Sequence, residues 1–212
     1  MTASQLPAPQ RSHARSNRAR ILATAREEFG RNPDATFDEL ARAAGVARRT
    51  LFGHFPNRQA LIAALAEEAT QSIEEAVDAA RRPGDDAATA MVRMTLAMWT
   101  VGDRYRMLIS LARRDIGEEG VRAALEPARA EATANIRRGQ QDGVFADVLP
   151  APVLSRALEA LTLALVEEQD SPDWTSPSGE AVAVALLIAS GVSRSKAHDL
   201  VRAVLDSAGR AG

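Results

Sequence analysis

Residues 36–61 read TFDELARAAGVARRTLFGHFPNRQAL, and this stretch decides how the rest of the chain is read. Thr36 and Glu39 stand three apart. The threonine oxygen can accept from the third helical N–H while the glutamate reaches back to the threonine N–H, so a helix starts after Thr36. Phe37, Leu40, Ala41 and Ala44 then recur at helical spacing and give that helix one apolar face. Gly45 ends it, because glycine enters the left-handed region without a Cβ clash. Val46 plugs the turn. In the next helix Leu51 and Phe55, four apart, form the buried edge, which leaves Arg48, Arg49, Thr50 and His54 facing outward.

Two short helices joined by a turn containing glycine make a helix-turn-helix. Its second helix enters the major groove of DNA with its first residues at the base edges. Arginine suits that place, since its planar fork can bond both N7 and O6 of guanine. The same fork can hold a phosphate, which positions a protein without reading sequence. The pattern leaves both roles open for Arg48 and Arg49. Pro56 disfavours helix at Phe55, and Asn57 is a good N-cap for a further helix. That helix start, with Arg58 in its first turn, would suit a phosphate.

The stretch resembles the N-terminal domain of the TetR family of bacterial transcriptional regulators. The matching run comprises FDELARAAGV, TLFGHF, the asparagine-plus-basic helix start and Leu61. The preceding RILATAREEFG, residues 20–30, matches as well, so the resemblance covers residues 18–65 or so. It implies a homodimeric DNA-binding head on a helical, effector-binding body, with Thr36, Arg48, Arg49, Thr50, Gly53, His54, Asn57 and Arg58 as candidate DNA contacts. Three residues depart from the family pattern. Ala47 stands where a serine or threonine cap is usual. Phe52 replaces the usual tyrosine and cannot supply a phenolic donor to a phosphate. Arg58 replaces a lysine.

The formal net charge of −2 is unevenly spread. Residues 11–60 carry ten arginines and five acids, a net of +5, whereas residues 61–212 carry 16 basic and 23 acidic residues, a net of −7. Such asymmetry points to a nucleic-acid-binding head on a body with another task. The absence of cysteine excludes disulfides and thiolate metal sites and fits the cytoplasm, the expected location. The longest apolar run, residues 181–189, has nine residues, well short of the roughly 18 a membrane span needs. The first residues lack the apolar segment of a signal peptide.

The expected architecture is all-α: a three-helix head on a larger helical bundle that dimerises. Residues 1–14 are expected as a disordered, solvated arm; the alternative is that Arg11, with Arg15, Arg18 and Arg20 just beyond, reaches a neighbouring minor groove. The head is placed at 15–60, the effector-binding and dimerisation domain at 61–207, and a disordered tail at 208–212. The first helix is expected over 16–30, with Ile21, Leu22, Ala25 and Phe29 inward. The fourth starts at Asn57 and ends at the breaker Arg81-Arg82-Pro83-Gly84. Further helices are expected at 85–100, 103–114, 118–141 with a kink at Pro127, 150–169 and 178–205, and a loop at 171–178.

The four methionines beyond Met1 fall within residues 91–107, with Trp99 and Tyr105 among them. Methionine is flexible and polarizable, and serves either as core filler or as the wall of an adaptable pocket. The resemblance makes Met94, Met98, Trp99, Tyr105 and Met107 candidates for lining an effector site. Leu154, Leu158, Leu161 and Leu165 follow helical spacing. The helix at 181–189 is apolar nearly all round and so must be buried on more than one side. With Val184 and Leu187 these residues are the candidate dimer interface. A second helix-turn-helix look-alike, GVSRSKAHDLV at 191–201, follows a helix too apolar to lie over a phosphate backbone; a capped break in the last helix is expected instead.

The three histidines are scattered, no zinc-ligand spacing occurs, and there is no glycine-rich phosphate loop. No cofactor, metal, membrane or catalytic constellation is expected. The reading is a repressor released from a palindromic operator by a small molecule. The alternatives are an activator, an effector-independent architectural DNA binder, or a small-molecule binder without DNA activity.

Overall fold

The computed structural model describes residues 8–174 and 178–209, with the side chains of residues 8–15, 110 and 170 left undescribed. All regular structure among the described residues is helical. The elements are α1 (Ala8–Arg31), α2 (Phe37–Ala43), α3 (Arg48–His54), α4 (Arg58–Ala80), α5 (Ala87–Ala124), α6 (Glu126–Gln141), α7 (Ala151–Glu167), a 3-10 turn (Glu168–Asp170), α8 (Gly179–Ala189) and α9 (Arg194–Gly209). They divide into two compact units: Met1–Glu68 with Met107–Arg122, here the head, and Ala69–Arg106 with Ala123–Gly212, here the body. The sequence reading drew a single cut after residue 60. The observed division instead passes through α4 and α5, and assigns a later segment of α5 to the head.

In the head, Ile21, Leu22, Ala25 and Phe29 of α1 are buried, as are Leu40 and Ala41 of α2, Leu51 of α3 and Phe55. Leu61, Ile62 and Leu65 of α4 and Leu108 and Leu111 of α5 are buried too. Helix α1 starts at Ala8 rather than near Ser16, so the part of the expected arm from Ala8 onward is helical. Pro9 sits in its first turn, where the missing N–H costs nothing, and no breaker follows it before Arg31. The alternative of a minor-groove arm rests, at Arg11 and Arg15, on side chains outside the described residues.

In the body, Asp86 caps α5 by accepting from the Thr89 N–H at 2.7 Å. That bond, the largest cause, holds the Asp86 carboxyl below its ordinary range. The expected break near Gly102 does not occur: α5 runs through it. A Cβ built on Gly102 would lie 3.0 Å from Val166 Cγ2, so this glycine admits a neighbouring helix instead of ending its own. The break in α5 falls at Gly117, whose φ of 75° only glycine adopts cheaply. Pro127 does not kink a helix, because it lies in the first turn of α6.

The expected helix at 178–205 is divided into α8 and α9 by a glycine turn. Gly191, at φ 94°, donates to Ile188 O at 2.9 Å and Val192 to Leu187 O at 3.0 Å. Ser193 Oγ then accepts from Lys196 N at 3.5 Å at the start of α9. Helix α9 runs to Gly209, so the first residues of the expected tail are helical. The body core gathers Val92, Ile136, Phe145, Leu158, Val182, Leu187 and Val201, among others.

Candidate nucleic-acid interface

The helix pair α2–α3 is fixed at both ends of its turn. Glu39 N–H donates to Thr36 Oγ1 at 3.3 Å, and Thr36 N–H donates to Glu39 Oε2 at 2.7 Å. The Thr36 hydroxyl also donates to that carboxylate at 2.8 Å. These Thr36 donors, the backbone N–H first, hold the Glu39 carboxyl below its ordinary value. Both hydrogen-bonding functions of the Thr36 hydroxyl are therefore engaged within the chain.

At the other end of α2, Gly45 takes φ 62° and donates to Arg42 O at 3.1 Å, while Val46 donates to Ala41 O at 3.0 Å. These two bonds form the Schellman arrangement, which satisfies carbonyls that the helix end would leave open. Ala47 caps α3 with no side-chain bond.

Helix α3 buries Leu51 and Phe55 completely or nearly so, at 0% and 2% exposure. Arg48, Arg49 and Gly53 are exposed, and Thr50 and His54 are half-buried. Arg48 is not free. Its Nη1 bonds Asp38 Oδ2 at 2.9 Å, and its guanidinium carbon lies 5.4 Å from the centroid of the Phe52 ring. The Phe52 ring meets that of Phe37 at 5.0 Å. Arg49 makes no ion pair among the described residues and points outward. A Cβ built on Gly53 would meet nothing within 4 Å among the described residues, so packing among them does not require glycine there. Arg18, also exposed, lies 5.4 Å from the Phe55 ring centroid.

Asn57 caps α4 by accepting from the Ala60 N–H at 2.8 Å. Arg58 departs from the expectation. Its guanidinium lies 4.5 Å over the buried Phe29 ring, donates to Ala35 O at 3.2 Å and to Pro33 O, and faces Asp115 of α5 at 3.8 Å. An aromatic face, two carbonyls and a carboxylate within the head thus hold this cation, in contacts that the expected phosphate role does not involve. Nothing in the local sequence signals this, because Asp115 lies 57 residues further along.

The candidate effector residues do not converge. Met94 and Met98 pack with Val101 and Leu125 on a small cluster of Ile73, Val77 and Ala128. Tyr105 is buried, and its hydroxyl shares a 3.1 Å hydrogen bond with Ser72. Spacings of four, three and four put Met94, Met98, Val101 and Tyr105 on one stripe of α5. Trp99 turns the other way, stacks on Trp174 with ring centroids 6.0 Å apart, and packs against the main body core. Met107 belongs to the head, where its Cγ lies 3.8 Å from a Cβ built on Gly30.

The candidate interface residues divide too. Leu154, Leu158 and Leu187, at 6%, 7% and 0% exposure, are buried in the chain's own core. Leu161, Leu165 and Val184 are partly buried against that core. The exposed stripe of α7 is Val153, Ala157, Ala160 and Ala164, and α8 exposes Ala181 and Ile188. The broad apolar faces of these helices conceal, in the sequence, which side the chain buries in its own core.

Residues 21–65 match the family model of bacterial regulatory proteins, tetR family. No curated protein matches the chain. Solved structures do. A gamma-butyrolactone receptor (ArpA-like protein) is similar at a TM-score of 0.72 and 16% identity, over 92% of this chain and 99% of that one. NalD, described as the secondary repressor of the MexAB-OprM multidrug efflux pump in Pseudomonas aeruginosa, is similar at 0.62 and 18%, over 84% and 97%. RolR in complex with resorcinol is similar at 0.58 and 18%, over 90% and 95%. At such identities these likenesses speak to the fold alone. The head thus matches the tetR family of bacterial regulatory proteins in sequence over residues 21–65, and most of the chain shares the fold of these solved structures.

Proposed function

We propose that this protein is a homodimeric, ligand-responsive transcriptional repressor that leaves a palindromic operator when a small molecule binds. The observation that carries the reading is α3: its apolar edge is locked into the head while Arg48, Arg49 and Gly53 stay outside. A two-fold pair of such helices about 34–36 Å apart would meet successive major-groove faces. The exposed α7 stripe of Val153, Ala157, Ala160 and Ala164, with Ala181 and Ile188 of α8, is the surface proposed for pairing. Small side chains there allow close approach of a second copy.

The Met94–Met98–Val101–Tyr105 stripe is the proposed effector wall. It combines polarizable thioethers, which adapt to shape, with one phenol held by Ser72. RolR was solved with resorcinol bound, and NalD is described as a repressor; both descriptions favour a repressor relieved by a small molecule. DNA and effector would each select a different spacing of the two heads, so each weakens the other reciprocally, by about 1–3 kcal/mol. The reading places the protein in the cytoplasm, beside the DNA, and gives it no catalytic step.

The test is a gel-shift titration of the full-length protein against the DNA upstream of its own gene, alongside a scrambled duplex of equal length. Preference for the upstream duplex is the expected result. Equal binding to both, or none, would sink the repressor reading; no binding alone would favour a small-molecule binder. A reporter under the same DNA separates a repressor from an activator by the sign of its response.

A further inference from the structure

We infer that Arg48 is the residue by which this protein reads guanine, with Asp38 and Phe52 as its brace, and that Arg49 holds phosphate. The inference rests on the DNA-binding reading above and assigns roles within it. Asp38 takes only Nη1 of Arg48, at 2.9 Å. The Nε–H and Nη2–H edge of the guanidinium remains, and its two parallel donors match N7 and O6 of guanine. Phe52, 5.4 Å from the guanidinium carbon and itself propped against Phe37 at 5.0 Å, limits how that plane can rotate. A fork already held in position loses less freedom when it bonds a base edge.

Charge decides between base and backbone. The Asp38 carboxylate neutralises Arg48 locally and would repel a phosphate brought to the same guanidinium, whereas a guanine edge is uncharged. Among the described residues no carboxylate pairs with Arg49, so its full charge is available to displace counterions. The brace also explains Phe52: a phenyl ring at this position serves Arg48 as a platform, where a tyrosine would offer its hydroxyl to the backbone.

The probe is the duplex that full-length wild-type protein enriches from a pool with a randomised centre. It is tested intact, scrambled, and with 7-deazaguanine, which lacks the N7 acceptor, at each guanine in turn. Wild type should lose affinity, on the order of tenfold to a hundredfold, at one guanine of each half-site. Arg48→Ala combined with Asp38→Asn, which removes the neutral pair without unmasking a carboxylate, should show at least that loss on the intact duplex, no further loss at that deazaguanine, and an unchanged salt slope. Arg48→Lys keeps the charge but lacks the fork, and should fail in the same way. Arg49→Ala should weaken intact and scrambled duplexes alike and flatten the log–log salt slope by about one. Asp38→Asn should strengthen binding to the scrambled duplex, because it frees the Arg48 charge. Thermal melts matching wild type show that each exposed substitution leaves the head folded. If the combined Arg48→Ala and Asp38→Asn substitution weakens both duplexes equally with a flattened slope, or keeps the deazaguanine sensitivity, the assignment is overturned while the DNA-binding reading stands. A wild-type protein that enriches no sequence overturns both.

Discussion

The guanidinium of Arg58, half-buried, lies 4.5 Å from the centroid of the buried Phe29 ring. From there it ties the connection between α1 and α2, through the Pro33 and Ala35 carbonyls, to Asp115 of α5. One side chain thus joins three segments that are distant in sequence, and its loss should be felt as stability rather than as charge at a DNA surface. Arg58→Ala should destabilise the head by about 1–3 kcal/mol, the scale of hydrogen bonds from a charged donor with a cation–π contact. Arg58→Lys, which keeps the charge but not the planar fork, should recover only part of that. Chemical denaturation of the full chain measures both; an unchanged midpoint for Arg58→Ala would contradict the tether.

Gly53 offers the opposite separation. Helix interiors favour alanine over glycine by about 1 kcal/mol, and a Cβ at this position meets nothing among the described residues. Gly53→Ala should therefore stabilise the protein by up to about 1 kcal/mol and at the same time weaken DNA binding, because the methyl occupies space on the outer face of α3. Denaturation and gel-shift titration of the same preparation should move in opposite directions. Tighter or unchanged DNA binding would remove Gly53 from the interface.

The capping box gives the head an acid-sensitive element. The Thr36 backbone N–H, and after it the Thr36 hydroxyl, lower the Glu39 carboxyl in the folded state. A depressed folded pKa contributes stability above the unfolded value, and that contribution is lost as pH falls through the folded one. The window therefore lies below the ordinary glutamate value of 4.5. Stability measured from neutral pH down to that range should fall less steeply in Glu39→Gln than in wild type. Parallel curves would show that Glu39 does not contribute.

The two sides of α7 should respond differently to substitution. Ala160 is exposed and Leu158 is 7% exposed. Ala160→Glu should yield a folded monomer by sedimentation, because it places charge on the proposed pairing stripe. Leu158→Ala should cost about 2–5 kcal/mol through the cavity it leaves. A dimer that survives Ala160→Glu would move the pairing surface elsewhere.

The residues of α2 and α3 could be read directly because their determinants are local. Thr36 and Glu39 cap one end, Gly45 closes the other, and Leu51 and Phe55 share one helical face. Each of these relationships spans at most four residues, so spacing alone encodes it. What the sequence by itself determined was therefore the helical class, the helix-turn-helix and its outward residues. The tertiary structure decided whatever depends on contacts between distant segments: that Arg58 turns inward to Phe29 and Asp115, that Gly102 admits Val166 instead of ending α5, and that Leu154, Leu158 and Leu187 are used up in the chain's own core. The physical reason is that helical periodicity identifies an apolar face or a cation but not its partner. A guanidinium can find a phosphate or an internal carboxylate, and a leucine stripe can meet a neighbouring helix or a second chain; only the packed arrangement chooses.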